Sequence, residues 1–249
     1  MLHKLKISLL LTITTTISLQ AIIVESDTIV EVKKHLNASQ KIVIAYDVDN
    51  TLAWPGMELG SDPWFTAMWE QKQAEGLTSE EILEAIIPLY IHVQNHIPLV
   101  LIEPLVPQMI QDLQNQGIMM LALTSRNHQI ASRTYDQLKD LSIDFSGIYD
   151  HEIDLSMDFP AIYKHGIIFS SNNNKGTMLM QFLHHIGFKP DKIIFIDDKL
   201  KYVTAVEKAV EAEGIEFVGI RYSRLDEEVK SFNIAKANQQ LKEFLAARL

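Results

Sequence analysis

The sequence predicts an α/β protein: a three-layer, Rossmann-like parallel sheet with a small helical cap inserted after the first core strand. Three observations predict it. Short, continuously apolar runs, KIVIAY at 41–46, IMMLAL at 118–123 and KIIFI at 192–196, read as central strands covered on both faces. They alternate with longer stretches of helical period, the rhythm of parallel strands joined by crossover helices. Between the first run and Glu103 lies an insert of roughly fifty residues with helical texture and no strand pattern.

Taken in order, Lys4 and Lys6 precede the apolar run ISLLLTITTTISL at 7–19, and Leu19-Gln20-Ala21 offers a signal-peptidase cut after Ala21. Residues 1–21 are therefore expected to be a cleaved secretory signal. The run is too short and too rich in threonine for a membrane span, so no stable span is expected after cleavage. Ser26-Asp27-Thr28 opens a helix to about Leu36, with Thr28 and Glu31 spaced as a capping box. KIVIAY is the first core strand. Residues 22–54 and 103–249 are expected to form the core domain and 55–102 the cap. Within the cap, LTSEEILEAIIPLYIHV carries Thr78 as N-cap with Glu81 three residues on, and Pro88 is expected to kink or divide the helix.

VPQMIQDLQNQG is a short amphipathic helix with Gly117 past its end, and IMMLAL is a strand that stops at Thr124-Ser125-Arg126. NHQIASRTYDQLKDL reads as a helix. Residues 142–172 mix short apolar runs with turn formers and support no assignment. KGTMLMQFLHHIG is a helix closed by Gly187, KIIFI a strand closed by Asp197-Asp198, and LKYVTAVEKAVEAEG a helix; EFVGIRYS is a strand and the tail from about Ile234 a terminal helix.

With 249 residues, 47% of them hydrophobic, the chain can build one core plus a modest insert. A formal charge of -10 argues against a nucleic-acid duplex as partner, since backbone phosphates demand a basic surface. There is no cysteine, hence no disulfide framework and no thiol for lipidation, and an oxidising compartment does no harm. Together with the leader, this predicts a periplasmic or secreted bacterial protein.

In a doubly wound sheet the ligand crevice lies outside the carboxyl ends of the strands. The unusual polar residues all fall at that edge: Asp47 and Asp49, Thr124, Asp197 and Asp198. Asp47 and Asp49, two apart at a strand end, point the same way and repel one another unless a cation neutralises them. Asp197 and Asp198 bring further hard oxygen donors of the kind Mg2+ prefers. Lys175 stands at the start of a helix, where a cation opposes the helix dipole by about 0.3–1 kcal/mol; a phosphate held by Lys175, the Thr124 hydroxyl and a metal balances the cluster. Aspartates also mark ordinary turns. Which aspartate acts as a nucleophile does not follow from spacing.

Asp47-Val48-Asp49-Asn50-Thr51-Leu52 resembles the DxDxT signature of the haloacid dehalogenase-like superfamily, whose commonest members are phosphatases. Thr124-Ser125-Arg126, Lys175 and Asp197-Asp198 resemble its remaining signatures in chain order, with successive separations of 77, 51 and 22 residues between Asp47, Thr124, Lys175 and Asp197. The resemblance implies Asp47 as nucleophile and Asp49 as general acid, then base. It implies phosphate binding by Thr124 and Lys175, with Ser125 and Arg126 beside them. For Mg2+ it implies the Asp47 carboxylate, the Asp49 backbone carbonyl and Asp197 as ligands, with Asp198 orienting the metal or its waters. The implied activity is Mg2+-dependent hydrolysis of a small-molecule phosphomonoester. A phosphotransferase, and a secreted interaction protein of the same fold without turnover, stay open beside it, as do substrate identity and oligomeric state. The chain is also similar to secreted bacterial acid phosphatases, and more so to bacterial proteins bearing an outer-membrane label, although its strand pattern is not that of a barrel.

Among the remaining residues, His92 and His96 have metal-ligand spacing but no third ligand, and read as a surface or pocket pair. Trp54, Trp64, Phe65 and Trp69 crowd the start of the cap, either as its core or as an aromatic wall over a leaving group. Arg126 either contacts substrate or neutralises a nearby aspartate.

Overall fold

The structure, a computed structural model, describes residues 21–248. The expected leader, apart from Ala21, lies outside the described residues.

Along the chain run β1 (Ile22–Ser26), a 3-10 turn (Ile29–His35), β2 (Ile42–Tyr46), β3 (Ala53–Trp54), α1 (Asp62–Ala74), α2 (Ser79–Gln94), β4 (Val100–Leu101), α3 (Val106–Asn115) and β5 (Met119–Thr124). There follow α4 (Ala131–Asp140), β6 (Ile153–Asp154), β7 (Ile162–Lys164), β8 (Ile167–Phe169), α5 (Lys175–His185), β9 (Lys192–Asp197), α6 (Leu200–Ala212), β10 (Glu216–Tyr222), α7 (Asp226–Lys230) and α8 (Ile234–Ala246). Eight strands form one open sheet in the order β1-β10-β9-β2-β5-β8-β7-β6. The first six in that order are parallel, and β7 is antiparallel to both β8 and β6. The fold is thus the expected α/β architecture with an inserted helical cap, its sheet made mixed at one edge.

Why β2 is apolar throughout follows from its two faces. Ile42, Ile44 and Tyr46 of β2 join Met120, Ile194 and Ile220 in one core, covered by α3 through Val106, Met109, Ile110 and Leu113. Val43 and Ala45, the alternate residues, join Leu121, Leu123, Ile193 and Phe195 in the other core, covered by α5 and α6 through Leu179, Phe182, Val203 and Val206. With a side-chain period of two, a strand buried on both faces has no polar position left. Each such Ile or Leu, fully buried, contributes about 1.5–3 kcal/mol.

Several elements depart from the sequence expectation. The segment after Thr28 is a 3-10 turn rather than an α-helix: Thr28 accepts from Val30 N, while Glu31 turns to Lys34 instead of closing a capping box. Its entry is held by buried Glu103, which accepts from the Thr28 hydroxyl at 2.7 Å, Ile29 N at 2.7 Å and the Tyr222 hydroxyl at 2.8 Å. Pro88 does not divide α2, which runs unbroken from Ser79 to Gln94. Pro88 lies on the exposed face, where the carbonyl deprived of its donor meets water. The Thr78–Glu81 capping box is present as expected.

The cap, α1 and α2, is bracketed by the antiparallel pair β3–β4. Its core is Leu59, Trp64, Tyr90, Val93 and Ile97, completed by Ala237 and Phe244 of α8. Gln240 of α8 accepts from Leu59 N at 2.9 Å, Lys236 pairs with Glu58 at 3.2 Å, and the Phe244 ring stands edge-on to His92 and His96. Among the described residues no helix is long and apolar enough to cross a membrane.

Candidate active site

Strand β2 is central, and its carboxyl end faces those of its neighbours β5 and β9. Asp47 N continues the ladder by donating to Ile196 O at 2.8 Å, which fixes Asp47 beside Asp197. The chain then folds back tightly: the Val48 carbonyl accepts from Leu52 N and Ala53 N, both at 3.0 Å. The fold-back requires a left-handed residue, and Asn50 takes it at φ 57. From there Asn50 Nδ2 donates to Asp198 Oδ2 at 3.3 Å, and Asp198 N donates to the Thr51 hydroxyl at 3.2 Å. The residues after Asp49 thus clamp the first acidic loop to the second.

Carboxylate oxygens of Asp47, Asp197 and Asp198 lie within 4.8 Å of one another. Lys175 Nζ sits against two of them, donating to Asp47 Oδ1 at 2.6 Å and Asp197 Oδ2 at 2.7 Å. It is 1% exposed, and Asp47 is 6% exposed. Burial pushes the Asp47 carboxyl up to about 7, helped by the charges of Asp197 and Asp49 and opposed by Lys175. Burial and the charges of Asp197 and Asp47 likewise raise Asp198 well above the usual carboxylate range. Lys175 is held far above the ordinary lysine range: burial opposes its charge, but Asp197 and Asp47 more than restore it. When ionised, these three carboxyl groups outnumber the ammonium beside them, and hard oxygen donors at this separation fit a small divalent cation.

Asp49, expected beside Asp47, turns elsewhere. Its two oxygens accept from Arg126 Nε and Nη2, each at 2.8 Å. Arg126 also donates to the Thr134 hydroxyl at 3.2 Å and Gln137 Oε1 at 2.8 Å. Burial would raise Asp49, but the Arg126 charge and hydrogen bonds hold it below the usual carboxylate range. Of the two roles considered for Arg126, the geometry displays the ion pair. Buried Thr124 accepts from Arg126 N at 3.1 Å through its hydroxyl and from Ser170 N at 2.8 Å through its carbonyl. Ser125 lines an adjoining cavity with Arg126 and Asp49.

Three residues near the cluster were not legible beforehand. Lys199 pairs with Asp62 of the cap at 2.6 Å, and Tyr202 lies under the Lys175 ammonium, 4.5 Å from its ring centroid. Gln137 anchors Arg126 from α4. Lys199, adjacent to Asp198, carried the one usable signal, a cation next to an acidic pair. The aromatic group divides: Trp64 is buried in the cap core, while Phe65 and Trp69 face the cavity.

A family model described as "Protein of unknown function (DUF2608)" matches residues 25–247. The chain belongs to the DUF2608 family. Its relatives include a Chlamydia muridarum protein, 27% identical over 71% of this DUF2608 chain and 67% of its own length. A Chlamydia trachomatis protein is 24% identical over 72% and 68%, and one from Chlamydia pneumoniae 28% identical over 71% and 67%. Each bears the name "Putative outer membrane protein". Among solved structures, a haloacid dehalogenase-like family hydrolase from Streptococcus pneumoniae matches at TM-score 0.43 and 15% identity, over 71% of this chain and 92% of that one. A HAD-superfamily hydrolase of subfamily IA, variant 1, from Geobacter sulfurreducens matches at TM-score 0.40 and 14% identity, over 77% and 97%. By its own strand order and inserted helical pair, this DUF2608 member has a haloacid dehalogenase-like fold.

Proposed function

We propose that the protein is a Mg2+-dependent phosphomonoester hydrolase that works through an aspartyl-phosphate on Asp47. The observation that carries the reading is the buried meeting of Asp47, Asp197 and Asp198 with Lys175 at the carboxyl edge of the sheet. In this reading residues 22–54 and 103–249 are the core that holds the chemistry, and 55–102 the cap that covers it.

Mg2+ would be held by Asp47, Asp197 and the Asp49 backbone carbonyl, with Asp198 orienting its shell, and when bound it supplies positive charge to the phosphoryl oxygens. An Asp47 oxygen attacks phosphorus, and the bond from phosphorus to the leaving oxygen breaks. That oxygen takes a proton from Asp49. Water then attacks the phosphorus, gives its proton to Asp49 and restores the Asp47 carboxylate, releasing phosphate. Lys175, the Thr124 hydroxyl and Ser125 bind the phosphoryl oxygens. The double hydrogen bond from Arg126 keeps Asp49 ionised, the form that accepts a proton from water; to donate one, Asp49 must turn away from Arg126.

In this reading the reaction takes place in the periplasm or outside the cell. Support comes from the basic and apolar first residues and from the name shared by the chlamydial relatives. A mature N-terminus beginning after Ala21 is the expected sequencing result.

Turnover of p-nitrophenyl phosphate tests the chemistry. Activity should need Mg2+, vanish with EDTA, and fall at least about a thousandfold in Asp47→Asn, an expectation from the cost of removing a group that acts in the reacting unit. Undiminished turnover by that variant would overturn the assigned nucleophile.

A further inference from the structure

Beside the acidic cluster lies a cavity of about 390 Å³, inside the range of roughly 300–1,000 Å³ common to small-molecule sites. Asp49, Ser125 and Arg126 line it on the side of the cluster. The cap supplies Phe65, Trp69 and Tyr90, and the core supplies Phe159 and Tyr202. The cap wall is set in place: Phe65 meets Tyr90 edge to face, ring centroids 5.0 Å apart at 72°. Tyr202 joins the two compartments, for its ring takes the Lys175 ammonium at 4.5 Å and also lines the cavity.

The charged groups around this space are mostly satisfied already. Asp49 is paired with Arg126 and Asp62 with Lys199. A polyol entering here would give up water and find those four charged groups engaged, leaving Thr66, Ser125, Asn127, Ser171 and Asn172 as the neutral polar side chains to meet it. A flat apolar body gives up little and gains ring contacts. One cation is uncommitted: exposed Lys201, also lining the cavity and 4.8 Å from the Tyr202 centroid, has no carboxylate partner among the described residues.

We propose that this cavity is the leaving-group subsite and that it selects phosphomonoesters of flat aromatic alcohols bearing a second anionic group. The rings pack against Phe65, Trp69 and Tyr202, and the anion pairs with Lys201. This rests on the phosphatase reading for the phosphoryl half of the substrate, but the subsite binds its alcohol with or without turnover.

Titration calorimetry on the full chain therefore uses alcohols and a matched anion: 6-hydroxynaphthalene-2-sulfonate, 2-naphthol and hexane-1-sulfonate. The first should bind at least tenfold tighter than either of the others. Lys201→Glu, a change at an exposed residue, should abolish its advantage over 2-naphthol, and Trp69→Ala should weaken both naphthols severalfold. Equal affinity for all three probes, or an unchanged preference in Lys201→Glu, overturns the proposal. A parallel assay compares 1-naphthyl phosphate with phenyl phosphate, whose leaving group is of similar acidity, in Mg2+, with kcat/KM severalfold higher expected for the larger ring system. Hydrolysis of both at equal kcat/KM overturns the subsite and leaves the phosphatase reading in place. Tight, Lys201-dependent naphthol binding without hydrolysis of any ester supports the subsite and overturns the phosphatase reading.

Discussion

Arg126 shows how much of this site is fixed by residues that do not react. Its guanidinium is buried and makes four hydrogen bonds, two to Asp49 and one each to Thr134 and Gln137. Removing one member of a buried ion pair strands the other, at a cost of about 3–5 kcal/mol. Arg126→Ala should lose that much in urea denaturation, and Arg126→Lys should recover only part, since an ammonium cannot reproduce the planar fork. A loss below about 1 kcal/mol would mean that Asp49 finds other support. Asp47, Asp197 and Lys175 were legible in the sequence because each sits where an apolar strand or a helix boundary ends, a position that a short window reveals. The partners of Arg126 were not. Gln137 and Thr134 are polar residues on an ordinary amphipathic helix, and only the packing of α4 against β5's loop gives them this role.

The same scale carries a pH prediction. A carboxyl raised by burial favours folding while protonated, so its contribution is fullest below the ordinary aspartate range, about pH 4, and is lost as pH rises through the folded value. For Asp47, pushed up to about 7 chiefly by burial, that loss falls between pH 4 and 7. Metal ligands must be deprotonated, so Mg2+ should act in the opposite sense. Thermal scans should show Mg2+ raising the melting temperature more at pH 8 than at pH 6, and not at all in Asp197→Asn. A shift of equal size at both pH values would count against the assigned ligand set.

At the scale of elements, the placing of Lys175 depends on how closely α5 approaches α6. Gly176 makes this possible: a Cβ there would stand 2.5 Å from the Ala205 carbonyl oxygen and 2.7 Å from Ala209 Cβ. Both obstacles belong to the α6 backbone or its stub, which cannot swing aside. Gly176→Ala should cost about 1–3 kcal/mol, as overpacking does, and should reduce turnover by displacing Lys175; a variant of normal stability and activity would show that α5 has room to shift. Long elements were the legible ones. α2, α5 and α6 have enough turns to display their period, and β2, β5 and β9 are apolar along their interiors. β6, β7 and β8 span two or three residues each, too few for any periodicity; β7 pairs locally with β6 and β8, and only the pairing of β8 with distant β5 ties the three to the sheet. β1 was hidden differently: its residues adjoin the apolar leader, and its pairing with β10 is visible only in the folded chain.

On the scale of the whole molecule, the cap is held from two directions. Lys199 reaches Asp62 from the acidic edge of the sheet, and α8 closes over the far side with Phe244 against His92 and His96. Phe244→Ala empties an aromatic position in the cap core and should cost about 3–5 kcal/mol. The loss should concentrate in α1 and α2, seen as faster amide exchange there than in β2 or β9. Uniform acceleration across the sheet would show instead that the cap and core unfold as one unit.

The clasp formed by α8 also has a bearing on manufacture. α2 ends at Gln94 and α8 begins at Ile234. A ribosome adding about 5–20 residues per second needs roughly 7–28 seconds to cover that interval. Throughout it the cap surface around His92 and His96 that receives Phe244 lies open to any sticky neighbour, so a nascent chain of this design calls for an escort until its distant fastening emerges.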